Sequence, residues 1–155
     1  MSGKLQKEIR QTKAIGSLEE EASLNIVRTA DVLMAKVAEV LKPYGLSATQ
    51  YNVLRILRGA GDAGVTCKDV GSRMLTRDPD ITRLMDRLEK RGLLTRDRAR
   101  EDRRFVATRL TRAGIEMVNQ LDRPMERLHQ RQMKHMTGQR LRALVGLLEE
   151  VRSGG

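Results

Sequence analysis

Apolar residues recur along most of this chain at spacings of three and four, the rhythm of helices with one buried face. Ile26, Ala30, Leu33, Val37 and Val40 form a first stripe, widened by Val27, Met34 and Leu41. A stripe that broad can face two neighbours rather than one. Ser17 and Glu20 stand at the S-x-x-E spacing of a capping box, so a helix is expected to begin at Ser17, and Pro43 and Gly45 to end it. A second helix is expected from Ser47, with Gln50 completing S-x-x-Q and Tyr51, Leu54 and Leu57, with Val53 beside them, facing inward. Gly59, Gly61 and Gly64 break it, and Gly64-Val65 is read as a minimal strand.

The next segments are shorter. A helix is expected from Thr66, with Asp69 as capping partner and Val70, Met74 and Leu75 inward. The following one is expected to take Asp78 as N-cap and Pro79 at the first helical position, where its missing N–H costs nothing. Its buried face would be Ile81, Leu84, Met85 and Leu88, with Lys90 and Arg91 at the negative end of the helix dipole and Gly92 as the stop. Residues 93–98 and 104–110 switch to a period of two, that of strands, around the loop Ala99–Arg103, which has no apolar anchor except Ala99. Helical rhythm then returns. Ile115, Val118, Leu121, Met125 and Leu128 predict a helix from about Thr111 to Met136, with a kink or break at Pro124. Leu141, Leu144, Val145, Leu148 and Val151 predict a last helix from near Thr137. Residues 1–16, with Lys4, Lys7, Arg10 and Lys13, read as a frayed tail or conditional extension.

The fold class is therefore mainly α with a small β-hairpin. Residues 66–114 read as helix, turn, helix and β-ribbon, a winged helix-turn-helix, which presents one helix to a major groove and a basic finger to the flanking backbone. The chain divides into a tail (1–16) and one domain (17–152). Within it, a DNA-binding lobe (47–110) lies between helices suited to dimerisation (17–46 and 111–152).

Charge sharpens this picture. The net charge is +10, and residues 66–112 hold 14 Lys/Arg against 8 Asp/Glu, which biases the partner toward a polyanion. Trp is absent, and Tyr44, Tyr51 and Phe105 are the only aromatics, too few for the stacking platforms of single-strand binders. Cys67 is the single cysteine, so an intrachain disulfide is impossible and a reducing compartment is expected. No apolar run approaches the ~20 residues that span a bilayer, and no signal-peptide core follows Met1. A cytoplasmic protein without membrane contact is expected. No catalytic constellation appears, so an enzyme is not expected and no cofactor is called for. His129 and His135 are six apart rather than at the i,i+4 spacing of a metal pair, and Gly59, Gly61 and Gly64 lack the lysine of a phosphate loop.

Candidate contacts follow from helix polarity. Arg77, Asp80, Thr82 and Arg83 lie at or near the start of the second helix of the pair, away from its apolar face, where arginine can bond guanine bidentately. Thr82 lies nearest the buried side. Arg87 and Lys90 are read instead as partners of Asp86 and Glu89 on a solvated face. Arg98, Arg100, Arg103 and Arg104 on the loop suit minor grooves and phosphates, while Asp102 would pin Arg104 and shape the turn. Thr66, Lys68 and Ser72 are candidate phosphate contacts near a helix start.

The order of these elements resembles the MarR (multiple-antibiotic-resistance regulator) family over roughly residues 18–152. The most specific match is D-x-R, five residues, then L-T-x-x-G, here Asp102, Arg104, Leu110, Thr111 and Gly114, together with ITRLMDRLEKRGLL as a recognition helix. The resemblance implies a homodimer with interlocked terminal helices, a pseudo-palindromic operator, and regulation of transcription often relieved by a small aromatic ligand or by cysteine oxidation. It carries Arg77, Asp80, Thr82 and Arg83 onto the recognition helix, and Arg100, Asp102, Arg103 and Arg104 onto the wing. The family's redox members place a cysteine early in the first helix, and this chain has none there. Cys67 sits instead in the first turn of a later helix beside Lys68, where thiolate character competes with a simple packing role. The ligand pocket usual in the family points to Met34, Tyr44, Tyr51 and Met117, which their spacing equally makes ordinary core residues. Two rival functions are an architectural DNA protein without effector and a helical adaptor that uses the winged helix for protein contacts.

Overall fold

Side-chain caps place most helix starts. The computed structural model describes residues 3–97 and 106–154. Helix α1 spans Lys4–Glu8, α2 Leu18–Leu41, α3 Ala48–Ala60, α4 Cys67–Arg73 and α5 Ile81–Lys90. Strands β1 (Leu94–Arg96) and β2 (Thr108–Leu110) precede α6 (Arg112–Met133) and α7 (Gly138–Ser153). The hydroxyls of Ser17, Ser47, Thr66, Thr111 and Thr137 each accept a backbone N–H three residues on. Ser47 and Gln50 close the full capping box. At α2 the reciprocal bond differs from the expected one, because Glu20 reaches past Ser17 to accept from the Gly16 N–H at 2.8 Å.

The core is built around α3, which touches α2, α4, α5, α6 and β2. Val53, Leu54 and Leu57 on α3 meet Leu41 of α2, Val70 of α4, Met85 and Leu88 of α5, and Val118 and Leu121 of α6, all fully or almost fully buried. Each such side chain contributes about 1.5–3 kcal/mol relative to exposure. The wing root is sealed into this core by Leu93 and Leu94.

The two strands pair antiparallel, Leu94 opposite Leu110 and Arg96 opposite Thr108. Val65 exchanges both backbone bonds with Thr108, at 3.1 and 2.8 Å, so the Gly64-Val65 strand exists as a single bridge on the outer edge of β2. Gly92 ends α5 at φ 71°, a left-handed conformation that costs glycine little, and the Leu93 N–H returns to the Leu88 carbonyl at 3.1 Å. The first turn of α6 passes so close to this corner that a Cβ on Gly114 would stand 2.0 Å from the Leu93 carbonyl oxygen.

Four expectations need correction. Helix α5 starts later than Pro79 suggested: Asp80, not Asp78, is its N-cap, and Asp78 accepts the Asp80 N–H at 2.8 Å in an Asx turn. Leu75 does not face inward. Helix α4 ends at Arg73, Met74 is extended, and Leu75 is left 84% exposed. The break allowed for at Pro124 does not occur, since α6 runs through it, and the helix ends at Met133 rather than Met136. The N-terminal stretch holds a helix, α1, whose Leu5 is buried and faces Leu24 and Val27 of α2 across a small cleft. The tip of the wing, with Arg98, Arg100, Asp102, Arg103 and Arg104, lies outside the described residues.

Helices α2 and α7 are much less buried than the rest. Only Val37 and Leu41 of α2 are buried, and α7 has no buried residue. Val27 of α2 is 68% exposed, and Leu147 and Val151 of α7 are 61% and 62% exposed.

Candidate nucleic-acid interface

Helices α4 and α5 and the turn between them form a helix-turn-helix, and its turn is fixed from behind. Asn52 on α3 accepts the Leu75 N–H at 2.8 Å. Asp80 accepts the Arg83 N–H at 3.2 Å, which satisfies one orphan amide at the start of α5. With Met85 and Leu88 buried beneath, Arg77, Asp80, Thr82 and Arg83 all lie on the exposed side of the helix and its lead-in turn. All four candidate base-contacting residues are exposed. Asp80 spends one carboxylate oxygen on capping.

Charge on this face is separated in an unexpected way. The expectation was that Arg87 and Lys90 would pair with Asp86 and Glu89 along the helix. Both carboxylates are instead held by Arg96 of β1, whose Nε donates to Glu89 at 2.8 Å and whose other nitrogen donates to Asp86 in a short contact. The Arg96 side chain is only 11% exposed. Its basicity is raised above the ordinary guanidinium value, chiefly by the hydrogen bond to Glu89 against the cost of burial. Arg77, Arg83, Arg87 and Lys90 make no ion pair with any described residue. Arg96 was missed in the sequence, although a period of two places it on the same strand face as buried Leu94.

The candidate phosphate contacts divide. Lys68 is exposed and makes no ion pair with a described residue, whereas Thr66 accepts the Asp69 N–H at 3.1 Å and donates its proton to the Asp69 carboxylate at 2.8 Å. Ser72 donates to the Asp69 carbonyl at 2.8 Å. Cys67 is half-buried against the core, as a packing residue would be.

The lobe is tied to its supports by two further arginines: Arg58, absent from the sequence expectations, and Arg91, expected only to suit the helix dipole. Arg91 at the end of α5 donates to the carbonyls of Gly45 and Tyr44 at 2.7 and 3.0 Å, satisfying the chain exit from α2. Arg58 of α3 forms a bidentate pair with Asp122 of α6 at 2.8 and 2.9 Å and also donates to Asn119. That pair holds the Asp122 carboxyl below its ordinary value, first through the Arg58 hydrogen bond.

The ligand candidates do not converge in the described pockets. Tyr51 is buried in the core, Tyr44 and Met117 pack at its margin, and Met34 is largely exposed. A shallow cleft of about 510 Å³ lies between α2 and the start of α3, lined by Ala35, Ala38, Glu39, Lys42, Gly45, Leu46 and Ser47. Among the described residues, no three His, Cys, Asp or Glu side chains are grouped to hold a metal ion, and no helix is long and apolar enough to cross a membrane.

Fold and site together define a winged helix-turn-helix protein with long flanking helices. The MarR family model matches residues 44–104. A MarR transcription factor of Planctomyces limnophilus is 40% identical, over 87% of this chain and 98% of that one, with a TM-score of 0.68. The chain belongs to the MarR family. It is also similar to the homoprotocatechuate degradative operon repressor of Escherichia coli, 23% identical over 133 residues, which cover 86% of this chain and 88% of the repressor. The Staphylococcus aureus MepR–DNA complex shares the fold, with a TM-score of 0.78 at 20% identity over 86% of this chain and 97% of that one.

Proposed function

We propose that this chain is a transcriptional regulator that binds double-stranded DNA sequence-specifically as a homodimer on a pseudo-palindromic operator. The observation that carries the reading is the pairing pattern on α5. Its carboxylates Asp86 and Glu89 are held by Arg96, and the cations at its start and along its outer side are left to meet an anion. Arg83 and Arg77 would read base edges, and Thr82 and Asp80 would flank them. Lys68, with Thr66 and Ser72, would sit against phosphate, and the wing arginines 98, 100, 103 and 104, shaped by Asp102, against the adjoining backbone and minor groove. The relatives lend support, since one is named an operon repressor and another was solved with DNA. Repression in the cytoplasm is the reading they favour.

The exposed apolar faces of α2 and α7 supply the homodimer, whose two-fold axis would set recognition helices about 34 Å apart. A small aromatic effector fits the apolar cleft where α2 meets α3 better than it fits Met34, Tyr44, Tyr51 and Met117, which share no described pocket. Selection of bound duplexes from a random pool tests the whole reading. The wild type is expected to return a two-fold motif, and Arg83→Ala a motif that has lost preference at one base pair in each half. Recovery of no motif would leave a backbone-led architectural protein.

A further inference from the structure

We propose that Arg96 is a positioning residue for DNA binding: an internal counter-ion that keeps the carboxylates of α5 from capturing the cations of the same helix. This rests on the DNA-binding reading and adds to it a residue that touches no DNA. Spacing defines the competition. Asp86 stands three residues after Arg83 and four before Lys90, so on an isolated helix it would pair with either. Glu89 has no basic residue three or four positions away on α5. In the folded protein both carboxylates turn to the Arg96 guanidinium, which β1 delivers from the opposite direction, and neither Arg83 nor Lys90 pairs with a described residue.

The register makes the delivery possible. Arg96 stands on β1 opposite Thr108 of β2, two residues past Leu94, which is buried in the core. The strand face that seals the wing root against the core also aims this guanidinium at α5. Arginine suits the task, because its planar fork can serve two carboxylates at once and stays charged at any working pH.

Equilibrium binding of the full chain to one duplex, titrated at several salt concentrations, tests this through three variants. Arg96→Met is expected to bind about tenfold more weakly and to lose about one unit of salt slope, as Asp86 recaptures Arg83. Adding Asp86→Asn and Glu89→Gln to Arg96→Met is expected to restore both affinity and slope. Asp86→Asn with Glu89→Gln in the presence of Arg96 is expected to bind at least as well as wild type, and it keeps the test alive if Arg96→Met does not fold. A purely mechanical tether predicts the opposite for the last two proteins, with binding lost whenever the ion pairs are cut, and that result would overturn the proposal. So would an Arg96→Met protein that is folded and binds as wild type. Wild-type protein that ignores the duplex would instead sink the DNA-binding reading itself.

Discussion

The helix-turn-helix lobe and the two long helices beside it obey opposite rules of burial. In the lobe, Leu75 apart, the apolar stripes find their partners within the chain: Leu54 and Leu57 of α3, Val70 of α4, Met85 and Leu88 of α5 and Leu94 of β1 are all sealed. On α7 no residue is fully buried, its Leu141, Leu144 and Leu148 being half-buried, and among the described residues Leu5 is the buried side chain that lines a cleft against the first half of α2. The joint between the two regimes is α6, whose Val118, Leu121, Met125 and Leu128 close the lobe and whose Arg58–Asp122 pair clamps it to α3. The apolar residues of the lobe are packed within the chain, while Val27 of α2 and Val145, Leu147 and Val151 of α7 stand exposed on the single chain. This exposed apolar face is what the proposed homodimer would cover.

The largest effect should come from that uncovered face. Val145→Asp with Val151→Asp is expected to convert a dimer into a monomer in multi-angle light scattering at micromolar concentration. A monomeric wild type would break the contrast between the two regions outright. Inside the lobe, Leu54→Ala should cost about 2–5 kcal/mol in denaturant unfolding. A loss below 1 kcal/mol would show that α3 is not the element the lobe is packed around.

Next is Gly114→Ala, which forces a methyl against the Leu93 carbonyl, at about 1–3 kcal/mol. Unchanged stability would mean that the corner between wing root and α6 yields easily. The smallest effect is Asp122→Asn at the joint, an exposed pair worth about 0.2–1 kcal/mol. Because Arg58 depresses the folded Asp122 pKa, the wild-type advantage is present above about pH 4 and disappears as pH falls through the lowered value. Unfolding curves of wild type and Asp122→Asn that stay parallel down the acid limb would remove the ion pair from the joint.

How much of this was written in the chain depends on the range of the interaction concerned. Helix caps at Ser17, Ser47 and Thr66 and the stop at Gly92 were legible because they are local, joining atoms three or four residues apart. The start of α5 was misplaced by local logic as well. Asp78 and Pro79 fit a helix start as well as Asp80 does, and only the Asx turn at Asp78 decides between them. Leu75 was assigned inward by periodicity carried one residue too far, past the point where α4 unwinds and Asn52 takes over its backbone. Of the candidate site, the exposure of Arg77, Asp80, Thr82 and Arg83 was legible from their absence from the apolar stripe. The partnership of Arg96 with Asp86 and Glu89 was not, because it depends on how a strand seven and ten residues away is aimed. The reach of Arg91 to the carbonyls of Tyr44 and Gly45 crosses 46 and 47 residues, and no pattern in the chain announces it.

The central claim is that the cations of α5 that pair with no described residue, together with the arginines proposed for the wing, grip duplex DNA. The most direct test is the affinity of the full chain for a duplex carrying its selected motif, measured as a function of salt. The account predicts tight binding at low salt that falls linearly on logarithmic axes with a slope of about −5 or steeper, the mark of roughly six neutralised phosphates. Absence of binding at low salt, or a slope near zero, would contradict it.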